Sequence, residues 1–363
     1  MDKRAVYPIY TVKDLLEMED DPDLWLVRNI IPKAGRILIY GTGGSYKSAL
    51  MFDLAVAIAS GGMLIEQLPL DSFGAALVLS TEGTKTTMRR RLLGHMRSRN
   101  VVPDAVRLFF GRKPLFLDKP EEMAVFRQLI RTFNPAYTLV DPYASFMSAN
   151  ENDTEETKKL TRHLDEIVEE ENTCIAIIHH ANKANELRGS TVLQGWADTV
   201  LRSSVKRRQQ VPGLDGLHDI ITLDIEKQRD GPMGTAFSAV PFINTNLGMI
   251  SFGIYHGMDA KMVQAVKLKH DILELMRKTR GIFTKTDLCT HFNAGRERMG
   301  IALAWLARDG LIVESHVPRS TGDGRYRNIT GWGLASIGSR VDAASAIFRA
   351  AQELEDAEPG ELC

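Results

Sequence analysis

The chain has 363 residues, of which 44% are hydrophobic and 25% are charged, and its formal net charge is −1. This composition is typical of a soluble globular protein, the length favours two domains, and the near-neutral charge gives no general sign of nucleic-acid binding. The three cysteines are far apart and form no CxxC pair, which disfavours a disulfide framework or a zinc site and is typical of a reducing compartment.

The N-terminal segment turns acidic early and has no apolar core, so it does not resemble a signal peptide. No stretch of the sequence reaches the uncharged length that a helix needs to span a bilayer. We therefore expect a cytoplasmic protein with no membrane partner.

After a lead-in at residues 1–30, short apolar runs alternate with helical patterns. We predict strands at 35–40, 75–80, 106–110, 137–140 and 174–178, and helices at 48–60, 86–100, 121–133 and 155–171. This alternation predicts an α/β fold with a mostly parallel sheet and right-handed crossovers. Two further strand-like segments, 199–205 and 219–226, flank a polar segment at 206–216 that we interpret as a loop, and they predict an antiparallel extension of the sheet.

From about residue 262 the pattern changes to three helices followed by two strands around a glycine-containing loop. The helices are predicted at 263–278, 284–291 and 295–309, and the strands at 311–316 and 325–332. This order predicts a C-terminal winged helix-turn-helix domain. Residues 261–340 hold 14 Lys and Arg against 7 Asp and Glu, which indicates a separate module with an anionic partner.

A glycine-rich segment stands between the first predicted strand and the first predicted helix. Phosphate loops need small residues that turn backbone N–H groups toward phosphate oxygens, a Lys for the outer phosphates, and a Ser or Thr for Mg²⁺. We predict an ATP-binding loop formed by Gly41, Thr42, Gly43, Gly44, Ser45, Tyr46, Lys47 and Ser48. The general pattern has Gly directly before the Lys, whereas this chain has Tyr46, which could stack on the base or shield the phosphates.

Polar side chains follow three of the predicted strands. Asp141 ends an apolar strand and is the candidate second ligand, with Ser48, of Mg²⁺. Glu82 follows the adjacent strand and is the candidate catalytic base, while His179 and His180 end the next strand and could sense the γ-phosphate. The alternatives are a turn-forming Asp, a surface Glu and structural histidines.

These residues, in this order, resemble the RecA-like core of ring helicases of the DnaB and plasmid RepA type, and the related AAA-type ATPases of phages and mobile elements. The resemblance runs from about residue 25 to residue 242. The matching motifs are Tyr40–Ser48, Ser80–Glu82, Leu139–Asp141, Ile177–Lys183, Arg188–Thr191 and Glu226–Thr235. With the pattern of helices and strands after residue 262, the resemblance gives a predicted domain division into a lead-in at 1–30, a RecA-like ATPase domain at 31–258, the winged-helix domain at 259–340 and a tail at 341–363.

The segment around residue 228 carries the most specific part of this resemblance. In the family, a Lys and an Arg two residues apart reach the nucleotide of the neighbouring subunit, which implies catalytic roles for Lys227 and Arg229. Lys47 is expected to share in catalysis from the phosphate loop, where it holds the outer phosphates. Alternate residues of a strand point to the same side, and two cations there can stabilise charge on the transferring phosphoryl group. The implied assembly is a homo-oligomer, expected to be a hexamer, with ATP at subunit interfaces. The alternative is an ordinary charged turn.

The resemblance also implies that loops at about 144–154 and 181–190 line a central DNA channel. The second loop carries Lys183 and Arg188, whereas the first is acidic and therefore a poor DNA ligand. In the winged helix, Arg296 and Arg298 begin the expected recognition helix, and Arg325 and Arg327 lie in the wing. Winged helices also serve as protein-binding modules, so that role stays open.

The sequence as a whole predicts an ATP hydrolase of the DNA-helicase type. We expect it to move on single-stranded DNA during replication of a phage, plasmid or integrated element, with a separate primase or loader as partner. Two alternatives remain: a recombination or annealing ATPase that forms filaments on DNA, and a nucleotide-switched winged-helix DNA-binding regulator.

Overall fold

The computed structural model describes residues 11–17, 24–65, 67–150, 153–182, 191–212, 214–255, 261–320 and 326–335. Up to residue 255, its helices are α1 (Val12–Glu17), α2 (Lys47–Ser60), α3 (Lys85–Ser98), α4 (Pro120–Phe133), α5 (Thr154–Glu171) and α6 (Thr191–Trp196). Its strands there are β1 (Trp25–Val27), β2 (Ile31–Pro32), β3 (Arg36–Gly41), β4 (Met63–Leu64), β5 (Leu68–Pro69), β6 (Ala75–Ser80), β7 (Leu108–Gly111), β8 (Pro135–Asp141), β9 (Cys174–His180), β10 (Thr199–Gln210), β11 (Leu217–Gln228), β12 (Gly234–Asn244) and β13 (Met249–Ile254).

One large sheet organises this region. Within the described residues its strand order is β13-β12-β11-β10-β3-β9-β8-β6-β7. Strand pairs from β10 to β7 are parallel, and those from β10 to β13 are antiparallel. The predicted α/β fold, with a mostly parallel sheet and an antiparallel extension, is confirmed. The order also places β9 between β3, which leads into the glycine-rich loop, and β8, which ends on Asp141.

Helices cover both faces of the parallel part, as such sheets require because both faces are apolar. On one face, α2 and α3 bury side chains such as Phe52 and Met88 against the sheet. On the other, α4, α5 and α6 contribute Phe126, Leu164 and Leu193 to a second apolar cluster. This three-layer arrangement fixes the carboxyl ends of the parallel strands as one rigid edge.

Two segments differ from the sequence-based description. Leu26 and Val27 of β1 are buried in the main core, so the described end of the lead-in packs as part of the α/β domain. Residues 206–210 continue β10 and pair with the start of β11, so their interpretation as a loop was wrong. Their polar composition is that of a strand pair that projects beyond the sheet, where residues 206–210 are exposed.

The C-terminal part contains α7 (Lys261–Thr279), β14 (Phe283–Thr284), α8 (Lys285–His291), α9 (Arg296–Arg308), β15 (Ile312–Ser320) and β16 (Tyr326–Leu334). Three helices are thus followed by an antiparallel hairpin, and β14 pairs with β16 to give the sheet order β14-β16-β15. α8 begins with a capping box between Thr284 and Asp287. The described helices include none that is long and apolar enough to cross a membrane.

The C-terminal part packs directly on the large sheet. Leu247 and Met249, from the β12–β13 hairpin, share one apolar cluster with Leu273 of α7 and Leu303 of α9. Lys269 of α7 is fully buried, and its Nζ donates to the carbonyl of Ser98 at 2.7 Å and to Asp309 Oδ2 at 2.8 Å. The basic segment is therefore joined to the end of α3 by buried polar contacts as well as by apolar ones.

Candidate nucleotide-binding site

The glycine-rich loop joins the end of β3 to the start of α2. Free N–H groups at a helix N-terminus and the helix dipole favour an anion at this position. A Cβ at Gly41 would lie 2.2 Å from the carbonyl oxygen of Ser203, so only glycine fits there. Gly44 has a φ of +73°, which glycine adopts without strain. The loop is therefore shaped by its own glycines and by the close approach of β10.

Tyr46 occupies the position where the general motif has glycine. Its φ is +65°, in the left-handed region that costs an L-residue free energy. Its hydroxyl donates to Asp219 Oδ2 at 2.9 Å, and the Arg207 guanidinium lies 5.6 Å from its ring centre. Burial, with the hydrogen bond to Asp219, raises the pKa of the Tyr46 hydroxyl. The tyrosine keeps the glycine-like backbone conformation and is held by residues of β10 and β11.

Lys47 is buried within the loop. Its Nζ donates to the carbonyl of Gly41 at 2.8 Å and to that of Thr42 at 2.9 Å. Burial lowers the pKa of Lys47, and the negative charges of Asp141 and Glu82 oppose this shift. The loop thus holds a cation in the concave position where a phosphate would bind.

Asp141 ends β8 and is buried. The hydroxyl of Ser80 donates to its Oδ2 at 3.2 Å, and the side chain of Ser48 lies beside the carboxylate. Its Oδ1 is buried and has no hydrogen-bond partner among the residues that the structure describes. Burial, followed by the charge of Glu82, raises the pKa of Asp141 to about 6.

This donor set fits a hard cation. Magnesium prefers carboxylate and hydroxyl oxygens, and it keeps several of its ligand positions for water and phosphate oxygens. Ser48 and Asp141, the two ligands predicted from the sequence, would hold it. The described part of the chain contains no group of three or more His, Cys, Asp or Glu that could hold a metal ion, so phosphate and water would complete the coordination.

Glu82 and His180 face each other across the carboxyl edge of the sheet. Glu82 lies two residues beyond β6, whose Ser80 is in register with Asp141. The distance from its Oε1 to His180 Nε2 is 4.0 Å, and both side chains are partly exposed. His179 instead points into the interior, where its ring stacks on that of Tyr143 at 5.4 Å. Of the two histidines, His180 is the one that reaches the site.

A cavity of about 820 Å³ opens over the loop and extends along α3 to the β12–β13 hairpin. Its loop side includes Lys47, Ser48, Glu82 and His180. The remaining wall was not predicted from the sequence; it includes Arg90 and Arg91 of α3, Arg207 of β10, and Pro241, Ile243, Asn244, Thr245 and Ile250 of the hairpin. The high arginine content of α3 was a usable signal, whereas no local pattern marked the hairpin.

Lys227 and Arg229 lie at the opposite end of the sheet from the loop. Thr199 pairs with both Ile37 and Gln228, so this end is where β3 begins. Lys227 Nζ donates to the carbonyls of Gln194 and Gly195, each at 2.9 Å, and to that of Ala197, all at the end of α6.

Arg229 bonds within the same region of its own chain. Its Nη1 lies 3.2 Å from Asp198 Oδ1, and Asp198 also pairs with Arg36 at the start of β3. Neither predicted catalytic cation therefore takes part in the site of its own subunit. We call Lys227 and Arg229 the opposite-end cations.

The predicted DNA-binding residues are only partly described. Lys183, Arg188 and Arg325 lie outside the described residues, and nothing is described for the side chain of Arg327 within β16. Arg296 is exposed in the first turn of α9. Arg298 is half-buried and donates to Gln264 of α7.

The loop between β3 and α2 has the residues and the position of a phosphate-binding loop, and the strand order brings a carboxylate beside it. The molecule is accordingly a P-loop protein of the α/β class. A family model described as AAA domain matches residues 4–186, which is half of the chain. The protein belongs to this AAA domain family.

Solved structures were also compared. A KaiC-like protein from the hyperthermophilic archaeon Pyrococcus horikoshii OT3 has 13% sequence identity and a TM-score of 0.42, with 63% of this chain and 93% of that chain covered. A TM-score this low supports no conclusion about the present chain. None of the curated proteins matches the sequence.

Proposed function

We propose that the protein hydrolyses ATP with Mg²⁺ at this site. The observation that carries the proposal is the buried Asp141 Oδ1, which has no hydrogen-bond partner in the described part of the chain and lies on the carboxylate that Ser48 contacts. A buried carboxylate oxygen without a donor is costly unless a cation compensates it. The family membership supports a nucleotide as the ligand that brings this cation.

The proposed chemistry assigns one task to each residue. Lys47 and the loop N–H groups bind the outer phosphates and stabilise negative charge that develops on them. Bound Mg²⁺ neutralises phosphate charge. Glu82 accepts a proton from the water whose oxygen attacks the γ-phosphorus, while the bond from that phosphorus to the bridging oxygen breaks and ADP leaves. His180, 4.0 Å from Glu82, responds to the charge of that carboxylate.

Two cations from a neighbouring subunit complete the proposed site. Lys227 and Arg229 lie at the end of the sheet away from their own loop, so they can reach only the nucleotide of another copy. Supplied in trans, such cations stabilise charge on the transferring phosphoryl group. We accordingly propose a homo-oligomer, in the form of a hexamer, with ATP between subunits.

The finer proposal is a helicase or translocase on single-stranded DNA in the replication of a phage, plasmid or mobile element, working with a separate primase or loader. The order of three helices and a hairpin after residue 261 supports a winged-helix domain, and Arg296 offers an exposed cation at the start of its third helix. Phosphate contacts by arginines at such positions are common in this class of domain.

The test measures ATP hydrolysis with and without single-stranded DNA. The proposal expects stimulation by DNA in the wild-type protein, and no hydrolysis above background for Lys47→Ala. An active protein that ignores DNA would reject the helicase and the filament alternatives together. Particle images with a non-hydrolysable ATP analogue then separate closed rings from filaments, and images of monomers alone would reject the shared site.

A nucleotide-switched regulator is the second candidate. α3 supports it, because this helix lines the cavity through Arg90 and Arg91 and contacts the C-terminal part through Ser98 and Lys269. In that case Arg296→Ala should abolish DNA binding while the rate of ATP hydrolysis stays at the wild-type level. A helicase would instead retain DNA binding through its channel residues.

A further inference from the structure

Arg207 contacts the phosphate loop although it lies on β10, far from the loop in sequence. Its Nη2 donates to the carbonyl of Gly44 at 2.6 Å. Its Nη1 donates to Asp219, which also accepts from the Tyr46 hydroxyl and, at 3.2 Å, from the backbone N–H of Arg208. One carboxylate therefore ties the residue before Lys47 to an arginine that holds the middle of the loop.

This arrangement compensates for the missing glycine. A tyrosine with φ of +65° pays a conformational cost that glycine does not, so the conformation persists only where surrounding contacts hold it. Here the contacts are the Asp219 hydrogen bond and the guanidinium over the ring. Although burial alone would raise it, hydrogen bonds from Arg207, the Arg208 N–H and Tyr46 lower the pKa of Asp219, which therefore stays ionised as their acceptor.

Arg207 also faces the ligand space. Its side chain is 49% exposed and lines the cavity, while its Asp219 partner is only 18% exposed. A Cβ added to Gly44 would lie 2.8 Å from Nη2, so the guanidinium sits against the loop itself. Its positive charge at the rim of the loop favours phosphate-bearing ligands.

We propose that Arg207 is a positioning residue for the phosphate loop and that Tyr46 and Asp219 hold it in place, so that the three together set the affinity for nucleoside di- and triphosphates. The inference rests on the proposed nucleotide site and adds a residue that acts in cis. It assigns these residues to binding and not to the chemical step, because their side-chain hydrogen bonds join them to one another, to Gly44 and to the Arg208 N–H, and not to Glu82 or Asp141.

The experiment compares Arg207→Ala, Arg207→Lys and Tyr46→Phe with Lys206→Ala. Lys206 is an exposed cation on the same strand, so its removal controls for the change in net charge. The readouts are KM for ATP, kcat without DNA, and the Kd of a fluorescent ADP analogue, with thermal melting as a check on folding.

The expected result is a KM and an ADP Kd raised about tenfold in Arg207→Ala, with kcat within about twofold of wild type, because one charge-assisted contact is lost. Arg207→Lys should recover part of the affinity, since a lysine keeps the charge but not the two-pronged geometry. Tyr46→Phe should raise KM by about threefold. Equal KM values for Arg207→Ala and Lys206→Ala would overturn the proposal and leave an ordinary surface ion pair.

A double variant tests the link to the missing glycine. Tyr46→Gly restores the general motif, so loss of Arg207 in the Tyr46→Gly background should change KM less than it does in the wild type. Additive effects would show that Arg207 acts independently of Tyr46 and would overturn that part of the inference. If the wild-type protein fails to bind the ADP analogue, the proposed function fails; if it binds and the variants match it, only this inference fails.

Discussion

The two ends of the large sheet use polar side chains in different ways. At the end where β3 meets the loop, Asp141 presents a buried oxygen that has no partner in the described residues, and Glu82 and His180 stand 4.0 Å apart in an open cavity. At the opposite end, Lys227 and Arg229 are bonded to carbonyls and to Asp198 of their own chain. The buried Asp141 oxygen without a hydrogen-bond partner indicates a ligand site. Lys227 and Arg229, in contrast, could serve a neighbouring subunit only after leaving their present partners.

Arg229→Ala gives the largest expected effect, and it tests whether the opposite-end cations leave their own-chain partners. An arginine supplied in trans is worth roughly a thousandfold or more in kcat, whereas a half-exposed ion pair contributes less than about 1 kcal/mol to stability. We expect kcat to fall by about a thousandfold with an almost unchanged melting temperature. Unchanged turnover in an assembled oligomer would confine Arg229 to its bond with Asp198.

Glu82→Gln tests whether Glu82, at the loop end of the sheet, accepts the proton of the attacking water. Removing the proton acceptor should lower kcat by about 10²–10³, while the Kd for ATP and Mg²⁺ stays within about threefold because Gln keeps the size of the side chain. The measurement is single-turnover hydrolysis together with binding of a fluorescent ATP analogue. A matching fall in affinity would mean that Glu82 binds the ligand and does not act as a base.

The pH dependence of stability isolates Asp141. Burial and the charge of Glu82 raise the pKa of Asp141 to about 6 in the folded protein. Between the ordinary pKa of an Asp and pH 6, the folded protein therefore binds a proton that the unfolded protein does not. Without Mg²⁺, the free energy of unfolding should therefore fall as pH rises from about 4 to about 6, by up to about 3 kcal/mol. Denaturant titrations at a series of pH values without Mg²⁺ would measure this free energy.

Asp141→Asn provides the control, since it removes the titrating group and should flatten that interval. Stabilisation of the fold by Mg²⁺ should increase with pH, because the ion binds the ionised carboxylate and its affinity rises as pH passes about 6. A wild-type profile that matches that of Asp141→Asn would contradict the buried, proton-holding carboxylate.

The effect of Lys227→Ala on stability is the smallest of the predicted changes, and it tests the contacts that Lys227 makes within its own chain. The Nζ hydrogen bonds to the final carbonyls of α6, so their loss should lower the free energy of unfolding by about 1–2 kcal/mol. The exposed Lys206→Ala serves as the control and should cost less than about 0.5 kcal/mol. Equal stabilities would mean that these contacts are dispensable.

The glycine-rich loop and the sheet could be predicted from local sequence patterns, whereas the walls of the cavity could not. Gly41–Ser48 could be proposed because strand, loop and helix follow one another in the chain, and Glu82 and Asp141 because each lies at or just after the end of a predicted strand. Arg207 was not predicted as a site residue, because its contact with Gly44 joins residues 163 positions apart in the chain. Lys269 was counted among the cations of the basic C-terminal segment, yet it is buried and bonded to Asp309, which follows the end of α9. Long-range pairing of this kind leaves no periodic trace in the sequence.

β10 has one consequence for how neighbouring copies would work together. It begins at Thr199, beside the opposite-end cations, and carries Arg207 to the loop roughly 25 Å away. β10 pairs with β3 over residues 199–202 and with β11 along both of its halves, so a single strand connects the two ends of the sheet. In the oligomer proposed above, this strand would therefore join the cations that serve the next subunit's nucleotide to the loop that binds the nucleotide of its own subunit.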